Sequence, residues 1–189
     1  MSNITKKAME ASIKELLLTK PFSKITINDI TEKCGVNRMT FYYHFKDIYD
    51  LIEWMFKQDA EKIIKKRKDY ETWEDALIDV FNAVLENKAI ILNLYHSVNH
   101  EQVENYLNNL IYPILKDVIE EKSEQKGVAE EDKKFIADFY KYAFTGVILN
   151  WIKNDMKIQP KIISKKLITL IKRNIEGDLK DFKEQSLSN

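Results

Sequence analysis

The residues best equipped for chemistry lie close together near the start of the chain, in TINDITEKCGVNRMTFYYHFK, residues 26–46. Arg38, Met39, Thr40, Tyr42, Tyr43, His44 and Lys46 put a guanidinium, a thioether, a hydroxyl, two phenols, an imidazole and an ammonium into nine positions. No acid–base pair or activated nucleophile emerges from this set. Its strength is recognition. A guanidinium fork matches the two acceptors on the major-groove edge of guanine, and a thioether or ring suits a thymine methyl. Hydroxyls, imidazole and ammonium suit phosphate oxygens. By these side-chain types Arg38, Met39 and Tyr42 are the candidates for base edges, and Thr26, Thr40, Tyr43, His44 and Lys46 for the phosphate backbone. Asn28 fits either role, and Asn37 belongs to the same DNA-facing set. A packed helical corner with an ordinary polar face would use some of these types too, but not in so dense a cluster.

Two short helices must hold these groups. Thr26 is a good N-cap for a first helix, with Ile27, Ile30 and Val36 as its apolar contacts. Gly35 stands where that helix stops and a left-handed backbone is usual. Asn37 caps a second helix, RMTFYYHF, in which Phe41 and Phe45 are four apart and share an inward face. A helix, a tight turn and a second helix form the helix-turn-helix plan, whose second helix lies in the DNA major groove.

This stretch resembles the DNA-binding region of the tetracycline-repressor (TetR) family of transcriptional regulators. The matching residues are Ile25, Thr26, Ile30, Cys34, Gly35, Val36, Thr40, Phe41, Tyr42, His44, Phe45 and Leu51. The likeness covers about the first 55 residues closely. One position departs from the pattern: Ile48 stands where the family carries a phosphate-touching lysine, so either Lys46 supplies that contact or it is absent. The resemblance implies a homodimeric regulator of a double-stranded operator, with repression the usual mode. It also implies that displacement of the fourth helix carries an effector signal to the DNA heads. Trp54, Trp73 and the Gly146…Trp151 spacing resemble the subgroup related to dihydroxyacetone-kinase regulators, in which sensing passes through a partner protein.

Other chemistry finds little support. His96 and His100 are four apart with Glu101 and Glu104 following, but position 97 is Ser and Asn99 looks like a helix boundary. The chain has one Cys, only 4 Gly, and no phosphate-binding glycine loop. No catalytic residue, metal site or cofactor is expected, and the protein is not expected to be an enzyme.

Composition sets the fold class. In 189 residues there are 4 Gly and 3 Pro, with 44% hydrophobic and 32% charged residues. So few breakers among abundant Lys, Glu, Ile and Leu predict an all-α protein of about nine helices. The zero net charge hides an asymmetry. Residues 1–68 carry 14 Lys and Arg against 9 Asp and Glu, and the remainder carries 16 against 21. The basic half is the one with the helix-turn-helix, as phosphate binding requires. The lone Cys34 fits a reducing cytoplasm and reads as a small apolar packing residue. No secretory pattern opens the chain, and no apolar run approaches the ~18 residues of a membrane span.

The expected organisation is a three-helix DNA-binding domain over 1–47 and a helical effector-binding and dimerisation domain over 48–189. A first helix over 5–19, with Ala8, Ser12, Ile13, Leu16 and Leu17 as its stripe, closes the head. A helix over 48–68, capped by Asp47 and ending in the cationic KIIKKRK, connects the two domains. The body begins near Tyr70, with helices from Trp73 to Asn87, Ile90 to Val98, and Glu101 to Lys126. Pro113 should kink the last of these near Asn109. A helix over 130–154 is apolar on most sides, so more than one face must be covered. It and a helix over 160–175 are expected to form the homodimer as a four-helix bundle; the tail beyond Leu179 should fray. Phe81, Tyr95, His96, Tyr106, Tyr112, Phe139, Tyr142 and Trp151 are the expected lining of a pocket for an unknown effector, aromatics with polar tips being suited to that use. The same residues could simply fill a core.

Overall fold

The computed structural model describes residues 2–66, 72–97, 100–123 and 127–186. Among them are nine α-helices and no strand: α1 Ser2–Thr19, α2 Ile27–Cys34, α3 Arg38–His44, α4 Ile48–Lys66, α5 Trp73–Glu86, α6 Lys88–His96, α7 His100–Ser123, α8 Glu130–Lys153 and α9 Pro160–Ser186. A 3-10 turn, Phe22–Lys24, follows α1. No described helix is long and apolar enough to cross a membrane. Tyr70, Val98, Asn99 and the end of the cationic 62–68 run lie outside the described residues. The chain divides into two compact units, one of residues 1–61 and 87–106, the other of residues 62–86 and 107–189.

In the first unit α1 starts earlier than its apolar stripe predicts, at Ser2, and Met9 is fully buried beside Ile13 and Leu17. Ile30, Phe41, Leu51 and Ile52 close the same core. Ile27 and Val36 are only half-buried; Ile25 and Thr31 take the inward places. Lys14 ties α1 to α4, donating to Glu10 at 2.6 Å and to Asp59 at 3.2 Å. Burial works to lower its pKa, but the hydrogen bonds and charge of the two carboxylates outweigh that and leave it raised. Asn93 of α6 joins the end of α1: its amide donates to the carbonyls of Leu17 and Lys20 at 2.6 and 2.8 Å, and its oxygen accepts the Phe22 N–H at 2.9 Å. These are the orphan carbonyls of a helix end, satisfied from a distant part of the sequence.

The second unit packs Leu77, Val80, Phe81 and Val84 of α5 with Ile114 of α7, Ile148 and Trp151 of α8, and Ile171 and Ile175 of α9, all buried. Thr72 stands before α5: its Oγ1 accepts the Asp75 N–H at 3.4 Å and its hydroxyl donates to the Asp75 carboxylate at 3.0 Å. Pro113 lies inside α7, which runs from His100 to Ser123. One expectation is corrected here. The tail does not fray after Leu179, which is fully buried; α9 continues to Ser186. The circumference of α8 is also divided. Ile136, Tyr140, Phe144 and Ile148 point inward, whereas Phe135, Phe139 and Tyr142 are 61%, 61% and 59% exposed. Tyr140 donates its hydroxyl to Asp178 at 2.5 Å, fastening α8 to α9.

Candidate nucleic-acid interface

The interface is assembled by caps. Thr26 has extended backbone, and its Oγ1 accepts the Asp29 N–H at 3.2 Å. Asp29 returns the bond, its carboxylate accepting the Thr26 N–H and hydroxyl, both at 2.7 Å. Lys20 lies 2.7 Å from the same carboxylate. The lysine first, then the Thr26 donors, hold Asp29 at a pKa of about 2. Gly35 follows α2 with φ of +69°, the left-handed conformation that only glycine takes freely. The Val36 N–H reaches the Thr31 carbonyl at 3.0 Å and closes the turn. Asn37 then caps α3, its Oδ1 accepting the Thr40 N–H at 2.8 Å and the Thr40 hydroxyl at 3.0 Å.

Phe41 is fully buried and Phe45 2% exposed, so α3 is pinned by this pair and presents its other side outward. Met39 and Tyr43 are 77% and 82% exposed, and Tyr42 stands at 46%. With Asn37 and Thr40 they line a shallow depression of about 540 Å³. Arg38 is exposed and donates from Nη2 to the Tyr42 hydroxyl at 3.1 Å; its guanidinium carbon lies 5.6 Å from the ring centre. The Tyr43 and His44 rings meet edge-on, 4.9 Å apart. Asn28 and Lys46 are exposed. The hydroxyls of Thr26 and Thr40 both donate within their caps, so their first duty is to the helix ends.

Lys6, whose place near the start of the chain suits either a DNA-backbone contact or a plain surface role, has a neighbourhood the sequence does not show. Its ammonium sits 5.1 Å from the centre of Phe45 and 5.6 Å from that of Trp54, the rings themselves being 5.8 Å apart. Nothing around Lys6 in the sequence signals this, because both rings come from later elements.

Of the eight residues expected to line a pocket, Tyr95, His96 and Tyr106 belong to the first unit and Phe81, Tyr112, Phe139, Tyr142 and Trp151 to the second. Tyr95 stacks on His100 with ring centres 4.4 Å apart, and His96 is exposed. Tyr106 stacks on Phe56 at 4.3 Å, and burial pushes its phenol above the ordinary range. Phe81 and Trp151 pack together in the core of the second unit, 5.4 Å apart. Phe139 and Tyr142 face outward. Tyr112 borders two grooves beside α7 and α8, of about 220 and 300 Å³. Another groove, of about 630 Å³, was not foreseen. Trp73, Ile114, Val118, Ile171 and Ile175 line it, with Glu74 and Lys172 paired at 2.5 Å on its rim. Among the described residues no group of three or more His, Cys, Asp and Glu side chains could hold a metal ion.

A capped pair of short helices set at a glycine turn, with a cationic and aromatic outer face, defines a helix-turn-helix DNA-binding protein. Residues 11–55 match the model for bacterial regulatory proteins of the tetR family, and residues 71–173 match that for a transcriptional regulator C-terminal region. The chain belongs to the TetR family of bacterial DNA-binding transcriptional regulators. It is 26% identical over 144 residues to the HTH-type dhaKLM operon transcriptional activator DhaS of Lactococcus lactis, covering 73% of this chain and 74% of that protein. Its fold is similar to a solved dihydroxyacetone kinase operon activator DhaS, with a TM-score of 0.69 at 20% identity over 95% of this chain and 98% of that one. A TetR regulator from Streptococcus agalactiae gives 0.62 at 22% identity, over 90% and 94%.

Proposed function

We propose that the protein works in the cytoplasm as a homodimer whose two α3 helices read successive major grooves of a near-palindromic operator. Arg38, Met39 and Tyr42 contact base edges. Tyr43, His44 and Lys46, with Thr26 and Thr40 beside the caps, lie along the phosphates; Asn28 and Asn37 border both sets. The observation that carries this reading is the division of α3, with Phe41 and Phe45 inside and Met39, Tyr42 and Tyr43 outside. Residues 1–47 act as the DNA head, residues 48–66 as the connector, and the rest as the effector and dimer region. The exposed Phe135, Phe139 and Tyr142 of α8, with α9, supply the self-complementary surface a two-fold dimer needs.

Repression relieved by an effector bound in the C-terminal region is the first form of this reading. A second form is activation governed by a partner protein with no small ligand here; its sign is favoured by one observation, that the Lactococcus relative is an operon transcriptional activator. Gel shifts with DNA from upstream of the protein's own gene test the reading, and Arg38→Ala should weaken binding by about 1–3 kcal/mol. Unfolding temperature against a metabolite panel separates the two forms, since a true ligand raises it by mass action.

A further inference from the structure

Arg38 is the first residue of α3, and its long side chain starts where the helix gives it no support. It is nevertheless held. Nη2 donates to the Tyr42 hydroxyl at 3.1 Å, and the guanidinium lies beside the Tyr42 ring, 5.6 Å from its centre. Residues four apart are neighbours on a helix, so this pairing needs no distortion. Tyr42 is itself steadied from below: its ring meets Phe41 edge-on at 5.8 Å and 89°, and Phe41 is fully buried. A line of contact therefore runs from the core through Phe41 and Tyr42 to the guanidinium.

We infer that Tyr42, beside the base-edge contact its ring makes in the proposed reading, uses its hydroxyl to aim the Arg38 fork, and that the operator half-site carries a guanine beneath that fork. The inference rests on the reading of α3 as the base-contacting helix. A guanidinium has five N–H donors, and Tyr42 occupies one of them. The remaining donors still include a parallel pair, which is what guanine O6 and N7 accept. Adenine offers N7 but sets its own N6 donor against the fork, so it gains less. Fixing the fork beforehand also reduces the rotamer freedom lost on binding. The Tyr42 hydroxyl thus acts through Arg38 on one base, and it contributes no charge to the phosphate contacts.

The test uses the full-length protein with a duplex site selected from a random pool. The guanine is found by methylation interference at N7. Dissociation constants are then measured for that site and its guanine-to-adenine variant, with the wild type, Arg38→Ala, Tyr42→Phe and the double substitution. Tyr42→Phe keeps the ring and removes only the acceptor. The expected result is a loss of ten-fold or more for Arg38→Ala on the guanine site, with the base preference gone. Tyr42→Phe should lose several-fold on guanine and little on adenine, keep the wild-type salt slope, and cost nothing further once Arg38 is Ala. Equal losses for Tyr42→Phe on both bases, or in both backgrounds, would overturn the positioning role and leave the base-reading helix standing. No loss for Arg38→Ala, or no selected site for the wild type, would overturn both.

Discussion

The side-chain oxygen of Asn93 accepts the backbone N–H of Phe22 at 2.9 Å, across 71 positions of sequence. The same amide caps the end of α1 through Leu17 and Lys20. A buried donor or acceptor left without a partner costs ~1–3 kcal/mol. Asn93→Leu keeps the volume and strands these groups, so it should lower stability by about 2–3 kcal/mol in urea unfolding. A loss under about 0.5 kcal/mol would show that water takes over the bonds.

Gly35 offers a purer test of backbone conformation. A Cβ built there would meet nothing within 4 Å, so no clash contributes. Its φ of +69° alone sets the cost. Gly35→Ala should destabilise by ~1–2 kcal/mol, and Gly35→Asn by less, because Asn tolerates the left-handed region. Denaturant midpoints with unchanged slopes would show this order.

Asp29 gives a pH signature. Its folded pKa of about 2 lies below the usual carboxylate value of 3.8. A depressed carboxylate contributes stability above its unfolded pKa and loses it as pH falls through the folded one. The unfolding temperature should therefore drop between pH 4 and pH 2, and drop less steeply in Asp29→Asn. Parallel curves would mean that the Lys20 and Thr26 bonds do not hold the charge in solution.

Lys46 carries the phosphate assignment nearest to the departure at Ile48. The slope of log K against log salt should fall by about one for each head in Lys46→Met. Lys141→Met, in the second unit, should leave the slope unaltered.

Phe139 tests the dimer. At 61% exposure it contributes little to its own unit. Phe139→Glu should shift sedimentation to the monomer and abolish tight operator binding, while the circular dichroism of the helices stays unchanged.

The head was readable because its signals are local. Thr26, Gly35 and Asn37 act within three or four residues of themselves, and the structure forms all three features. Asp47 likewise caps α4 as its type suggests, accepting the Asp50 N–H at 2.9 Å. The body was less readable because its decisive facts are not local. Which of the apolar residues of α8 point outward depends on where α9 packs, and periodicity could not show that Phe139 and Tyr142 are exposed while Phe144 is buried. The persistence of α9 depends on Leu179 finding a buried place. The groove beside Trp73 draws its lining from α5, α7 and α9 together. Aromatic residue types alone could not distinguish packing from lining, so Phe81 and Trp151 served the core.

The start of α4 bears on where a duplex can be gripped. Asp47 receives the Asp50 N–H there, and Asp50 receives the Lys46 N–H at 2.9 Å. Two carboxylates thus occupy the amino end of a helix that would otherwise attract an anion, and Ile48 adds no cation beside them. A passing phosphate finds that berth already taken by the protein's own acids. In the proposed reading the grip then falls to the Lys46 side chain and to α2 and α3, which leaves the fit along the groove more dependent on the bases themselves.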